Sequence, residues 1–278
     1  MLRVHKILFP VDFSERSLGA GRYVQAMADH FGSEVVLLHV VEPFTYDSSV
    51  LDKMAVRKME LQLFMEAEFR PTRVKRLVLE GDPTRKIAET AKAEEVDLIT
   101  MPTHGWGVYR RFIMGSVTAK VLHDTRHPVW TCGHAEEVPQ REQLRFDKIL
   151  CAVDLGPKSA RVLKWSRDVA ESLGAELTVA YVRQTSEGGI AGQTGSDGLS
   201  MVAKKAEESI AGLCQDLGIS ARCHIVSGEV AQSLQTAAKG LETNLMIIGR
   251  STDGQTPAQL GANCYSIIRQ APCPVLSV

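Results

Sequence analysis

Lys6-Ile7-Leu8-Phe9-Pro10-Val11-Asp12 returns 142 residues on as Lys148-Ile149-Leu150-Cys151-Ala152-Val153-Asp154. Three further segments repeat in the same order. GSEVVLLHV (Gly32 to Val40) answers GAELTVAYV (Gly174 to Val182), again 142 apart. Asp97-Leu98-Ile99-Thr100-Met101 answers Asn244-Leu245-Met246-Ile247-Ile248 at a spacing of 147. His127-Pro128-Val129-Trp130 answers Cys273-Pro274-Val275-Leu276 at 146. Four segments in one order, with a spacing that drifts by a few residues, mark an internal duplication.

The drift locates the insertions. One lies between Val182 and Asn244, where Ser186 to Ser200 (SEGGIAGQTGSDGLS) reads as a flexible Gly/Ser loop. The polar stretch Gly133 to Arg145 reads as the boundary, which predicts one domain over 1–135 and a second over 146–278. A chain of 278 residues suits two domains at roughly 100–200 residues each.

Within the first copy, residues 4–9, 34–41, 73–80, 97–102 and 127–132 are short and rich in Val, Ile and Leu. Runs apolar on both faces suit strands covered by helices on either side. Helical patterns separate most of them. Leu18, Tyr23, Met27 and Phe31 share a helical face, Asp82-Pro83 reads as a cap followed by a first-turn proline, and Val117 to His123 is a third helix. Strands alternating with helices imply a parallel sheet wound by right-handed crossovers. Such sheets bind ligands past the carboxyl ends of their strands, where the winding reverses. Asp12 and the segment after Met101 fall there.

Composition narrows the function. A formal net charge of −1 gives no field that would draw the chain to nucleic acid or to anionic membrane. No apolar run reaches the ~18 residues of a membrane span, and the N-terminal stretch lacks the h-region of a signal peptide, so the expected compartment is the cytoplasm. The six cysteines form no CxxC pair and read as small buried hydrophobes; Cys132 and His134 lack metal-ligand partners at a matching spacing. His39, at a strand end, reads as a packed, hydrogen-bonded core histidine.

The segment Pro102-Thr103-His104-Gly105-Trp106-Gly107 runs on to Met114-Gly115-Ser116-Val117 and into the third helix. A helix N-terminus presents unpaired N–H groups and partial positive charge, which suits a phosphate. Gly115 allows close backbone approach, and the Ser116 hydroxyl adds a donor. Local spacing alone leaves a second reading open, in which Gly115-Ser116 is only a turn and cap. His104 reads as a turn residue or a phosphate contact.

The whole pattern resembles the universal stress protein family over nearly all of both copies. The resemblance rests on KILFPVDFSE, LLHVVEP, THG and the GSV…KVL…HPV ending. Nucleotide-binding members of that family carry Gly, two residues, Gly, nine residues, then Gly-Ser or Gly-Thr. Here residues 106–114 separate Gly105 from Gly115-Ser116, and Pro102 stands in place of the first glycine.

The resemblance implies an adenine-nucleotide alpha-hydrolase-like α/β fold. Each copy would be an open, mostly parallel five-stranded sheet with helices on both faces, in strand order 3-2-1-4-5. It implies ATP as ligand, with Mg²⁺ bridging its phosphates. Asp12 would sit at the adenosine end, the Pro10 and Val40 backbones would line adenine and ribose, and Gly105, Gly115, Ser116 and Val117 would hold phosphate. Pro102 lacks an N–H, which puts the first glycine's contact in doubt. Asp12 read on its own also fits a helix cap, as does Ser14.

In the second copy, Thr252 takes the place of the second glycine, Ala262 replaces the hydroxyl residue, and the loop is one residue shorter. Asp253 brings negative charge where phosphate would sit, although Asp154 survives. The resemblance therefore implies one nucleotide site and one degenerate cleft. It also implies an intramolecular pseudo-dimer of the two copies through their last strands, with room for a further homodimer. No P-loop GxxxxGK[ST] is present and no Walker-type lysine follows Gly115, so a nucleotide-dependent stress regulator ranks above a slow ATPase or phosphotransferase. A scaffold that has lost binding is the third reading, and Pro102 is its best support.

Overall fold

The structure, a computed structural model, describes residues 2–43, 50–103, 114–132, 144–183, 196–250 and 262–278. The chain divides into two compact units, with the sequence boundary between Leu144 and Arg145.

The first unit runs β1 (Lys6–Pro10), α1 (Glu15–Phe31), β2 (Glu34–Val41), α2 (Val50–Leu63), β3 (Val74–Glu80), α3 (Pro83–Ala93), β4 (Leu98–Pro102), α4 (Ser116–Asp124), β5 (Val129–Cys132). Its sheet order is β3-β2-β1-β4-β5, and every pair is parallel. The apolar runs explain the layering. Ile7, Leu8 and Phe9 of β1 and Val35 to Leu38 of β2 are fully buried, as side chains alternating up and down must be when helices cover both faces. The chain winds outward from β1 through β2 to β3, then crosses back to β4 and β5. Right-handed crossovers place α1 and α2 on one face and α3 and α4 on the other. The winding therefore reverses between β1 and β4.

The second unit repeats this plan with β6 (Lys148–Val153), α5 (Ser159–Leu173), β7 (Glu176–Arg183), α6 (Ser196–Asp216), β8 (Arg222–Ser227), α7 (Val230–Gly240), β9 (Leu245–Ile248), α8 (Ala262–Gln270) and β10 (Val275–Ser277). Its order is β8-β7-β6-β9-β10, again parallel. Equivalent residues pair in equivalent registers: Ile7 faces Leu98, and Ile149 faces Leu245.

The helix signals lie where the residues require them. α1 ends on Gly32 at φ 68°, with its N–H on the Ala28 carbonyl, and α5 ends likewise on Gly174 at φ 64°, on Ala170. Only glycine takes that left-handed cap without strain. Asp82 caps α3 by accepting from the Arg85 N–H at 2.8 Å, with Pro83 in the first turn. Two features differ from the sequence expectation. Helix α2 occupies a stretch for which no pattern was read. Residues 196–200, expected as loop, already belong to α6. The remainder of that expected loop lies outside the described residues.

Candidate functional site

The carboxyl ends of β2, β1 and β4 are adjacent, and Pro10, Val40 and Pro102 stand at them, with Asp12 two residues after β1. At the end of β1, the Val11 N–H donates to the Leu38 carbonyl at 2.8 Å. His39 Nδ1 lies 2.7 Å from the Val11 carbonyl. A carbonyl only accepts, so Nδ1 carries the proton. Burial pushes the His39 pKa below its usual value, against the opposing pull of that hydrogen bond, and the nearby Arg57 charge adds to the lowering. The ring is neutral at pH 7.

Asp12 follows. Its Oδ1 accepts from the Ser14 N–H at 3.0 Å, the Ser14 hydroxyl at 2.6 Å and the Ser17 hydroxyl at 2.6 Å. Ser14, not Asp12, is the N-cap of α1, and it accepts from the Ser17 N–H at 3.2 Å. Asp12 is thus held at the strand end, one step before the helix. Between them, Phe13 takes a left-handed φ of 62°. That turn points the Ser14 N–H back at the carboxylate. The second unit builds the same turn: Leu155 has φ 58°, and Asp154 Oδ1 accepts from the Gly156 N–H at 2.8 Å and the Ser159 hydroxyl at 3.1 Å.

Across the reversal point, Pro102 ends β4 in register with Cys132 of β5. The Thr103 N–H donates to the Cys132 carbonyl at 3.2 Å. The chain returns at Gly115, whose N–H donates to the Thr103 carbonyl at 2.8 Å. The buried Thr118 hydroxyl then donates to the Pro102 carbonyl at 3.0 Å, tying α4 to the strand end. Gly115 is the N-cap of α4, at φ −57° and ψ 139°, and as a glycine it brings no side-chain cap to that helix. Ser116 is exposed, with Gly115 and Val117 half-buried. Pro10 and Val40 are half-buried at the ends of β1 and β2, while Pro102 is buried. Gly105 and His104 lie outside the described residues.

The two helices that open at the reversal point therefore differ. The N-terminus of α1 is served by Ser14 and Asp12. The N-terminus of α4, which opens on Gly115, has no such side-chain cap among the described residues and carries the positive end of the helix dipole. Sequence reasoning named neither Ser17 nor Thr118. The shared spacing Asp12…Ser17 and Asp154…Ser159 could have found the first; Thr118 carries no comparable signal.

Five of the cysteines are buried, as expected, and Cys223 is exposed. Burial pushes the Cys151, Cys264 and Cys273 thiols up to about 12, and Cys132 higher still. No group of three or more His, Cys, Asp or Glu among the described residues is placed to hold a metal ion. No helix among them is long and apolar enough to cross a membrane.

The universal stress protein family model matches the chain twice, over residues 3–132 and 145–278. Universal stress protein MJ0577 of Methanocaldococcus jannaschii is 32% identical over 149 residues, covering 45% of this chain and 91% of that protein. Universal stress protein A homolog 1 of Coxiella burnetii is 27% identical over 140 residues, covering 49% of this chain and 97% of its own. Each is similar to about half of this chain. Over the whole length, a universal stress protein from Archaeoglobus fulgidus superposes with a TM-score of 0.74 at 23% identity, covering 99% of this chain and 96% of that one. That likeness concerns the fold. With the family model matching both halves, on two copies of one doubly wound sheet, the chain belongs to the universal stress protein family as a tandem two-domain member.

Proposed function

We propose that the first unit binds an adenine nucleotide, ATP with Mg²⁺, and that the protein acts as a nucleotide-dependent regulator rather than an enzyme of rapid turnover. The supporting observation is the contrast at the reversal point. α1 opens with a side-chain cap, and α4, tied by Thr118 to the end of β4, opens on Gly115 without one among the described residues. A phosphate group suits the N–H groups of Ser116 and Val117 and the Ser116 hydroxyl, with Gly115 giving the backbone close approach. Gly105 belongs to the same phosphate loop in this reading. Asp12 takes the adenosine end, where a carboxylate accepts from ribose hydroxyls, and the Pro10 and Val40 backbones line base and sugar. Bound ATP supplies negative charge that the α4 dipole offsets. The chain's own part is to orient that charge.

Pro102 favours a second reading, a scaffold without nucleotide. It has no N–H to offer, and its carbonyl is already engaged by Thr118. The Gly115 N–H is engaged by the Thr103 carbonyl, so the remaining donors belong to Ser116 and Val117, and loss of one amide weakens the cradle without removing it.

Heat denaturation of purified full-length protein, followed by analysis of the released small molecules, separates these readings. Released ATP, with calorimetric binding of added MgATP, is the expected result. ADP alone would move the reading toward a slow ATPase. No released nucleotide and no heat of binding would leave the scaffold.

A further inference from the structure

The left-handed residue next to Asp12 is shared by both units, but its side chain is not. Phe13 and Leu155 have φ 62° and 58°, a conformation that bulky residues rarely adopt. In both units the aspartate is gathered by the following N–H and by a serine five residues on. Leu155 does this without an aromatic ring. The ring of Phe13 is therefore not required for the turn, and its contacts show what it adds. Its centroid is 4.6 Å from that of His39 and 5.9 Å from that of Phe64, edge-on. The Arg57 guanidinium carbon stands 5.6 Å from the ring centroid, within cation–π range. Arg57 lies in α2, and Phe64 directly follows it.

His39 completes the tie from the other side. Its ring packs on Phe13 while its Nδ1–H holds the Val11 carbonyl, one residue before Asp12. The counterpart of His39 in the second unit is Tyr181. A chain of direct contacts thus runs from α2, through Arg57 and Phe64 to Phe13, and into the turn that presents Asp12.

We propose that Phe13 is a positioning residue that couples helix α2 to the adenosine end of the first-unit cleft, so that nucleotide binding and the seating of α2 reinforce each other. The coupling rests on the nucleotide reading above for its ligand, but the tie itself exists in the ligand-free chain. By reciprocity, whatever seats α2 more firmly strengthens nucleotide binding by the same factor.

The experiment uses full-length protein and hydrogen exchange of α2 amides, with and without MgATP, beside calorimetry. Phe13→Leu installs the residue that the second unit already holds in this conformation, so the turn and the fold are kept. Without ligand, Phe13→Leu speeds α2 exchange by about five- to tenfold and leaves α3 and α4 unchanged, and Phe13→Tyr restores the wild-type rate. With MgATP, wild-type α2 exchanges more slowly than without it. Phe13→Leu binds about five- to tenfold more weakly and loses that slowing, and Phe13→Tyr recovers both. Unchanged α2 exchange in ligand-free Phe13→Leu overturns the proposal. So does nucleotide binding to the wild type that leaves α2 exchange unaltered. Absence of any binding to the wild type overturns the nucleotide reading instead, and the ligand-free comparison then decides the tie alone.

Discussion

Pro102 and Gly249 occupy the same place in their units, each four residues after the residue that pairs with Ile7 or Ile149, namely Leu98 and Leu245. In the second unit a Cβ at Gly249 would meet the Val162 Cγ2 at 2.7 Å. Real Cβ atoms do not approach so closely, and a valine in a helix has one strongly preferred rotamer with which to move away. The residue at Val162's place in the first unit is Ala20. The smaller side chain on α1 is what leaves room for a proline ring at 102. Gly249→Ala is therefore expected to destabilise the protein by about 1–3 kcal/mol, as overpacking does, and Val162→Ala in the same chain to recover much of that loss. Urea unfolding of the two variants and of the double variant measures the coupling. A neutral Gly249→Ala would break the explanation. The departure at Pro102 was visible in the sequence, but its compensation was not. Ala20 and Pro102 are far apart along the chain, and only strand register and helix packing pair their positions.

At the scale of elements, α4 opens on a glycine that brings no side-chain cap, and Thr118 ties its first turn to the Pro102 carbonyl at the end of β4. Thr118→Val keeps the shape and removes the hydroxyl, leaving the Pro102 carbonyl without that donor. The expected cost is about 1–3 kcal/mol in stability, with weaker MgATP binding because α4 is no longer tied to the end of β4. Thermal unfolding and calorimetry read the two effects. Wild-type binding with lowered stability would show that α4 is positioned by packing alone. The strands were legible because buried parallel strands are continuous apolar runs, and α1, α3 and α4 were legible through caps and helical spacing. Helix α2 was not, and its exposures show why. Val56, Met59 and Leu63 are 53%, 69% and 67% exposed. Apolar side chains on the outer side erase the contrast between faces on which a helical pattern depends. In α6 the turn-forming composition of residues 196–200 concealed a helix start that the following helix formers extend backward.

At the scale of the whole molecule, duplication supplies two copies of the scaffold and lets their clefts diverge. The turn that gathers the aspartate is kept in both units. On the phosphate side the two units differ in sequence. Where the first unit has Thr103, the second has Arg250, which is 3% exposed and whose pKa burial pushes down to about 10. Ala262 has no hydroxyl where Ser116 has one, and Asp253 brings a negative charge to the corresponding segment. In the proposed binding mode a triphosphate would lose that hydroxyl and meet that charge in the second unit. The full chain is therefore expected to bind one MgATP, not two, in calorimetry. Ser116→Asp decides which unit holds it. Ser116 is exposed, and a carboxylate in the first turn of a helix is favourable to the helix dipole, so the variant folds. The same carboxylate occupies the phosphate position and repels a triphosphate. All binding heat should vanish in Ser116→Asp. A stoichiometry near two in the wild type, or saturable binding that persists in the variant, would place nucleotide in the second unit and remove the asymmetry.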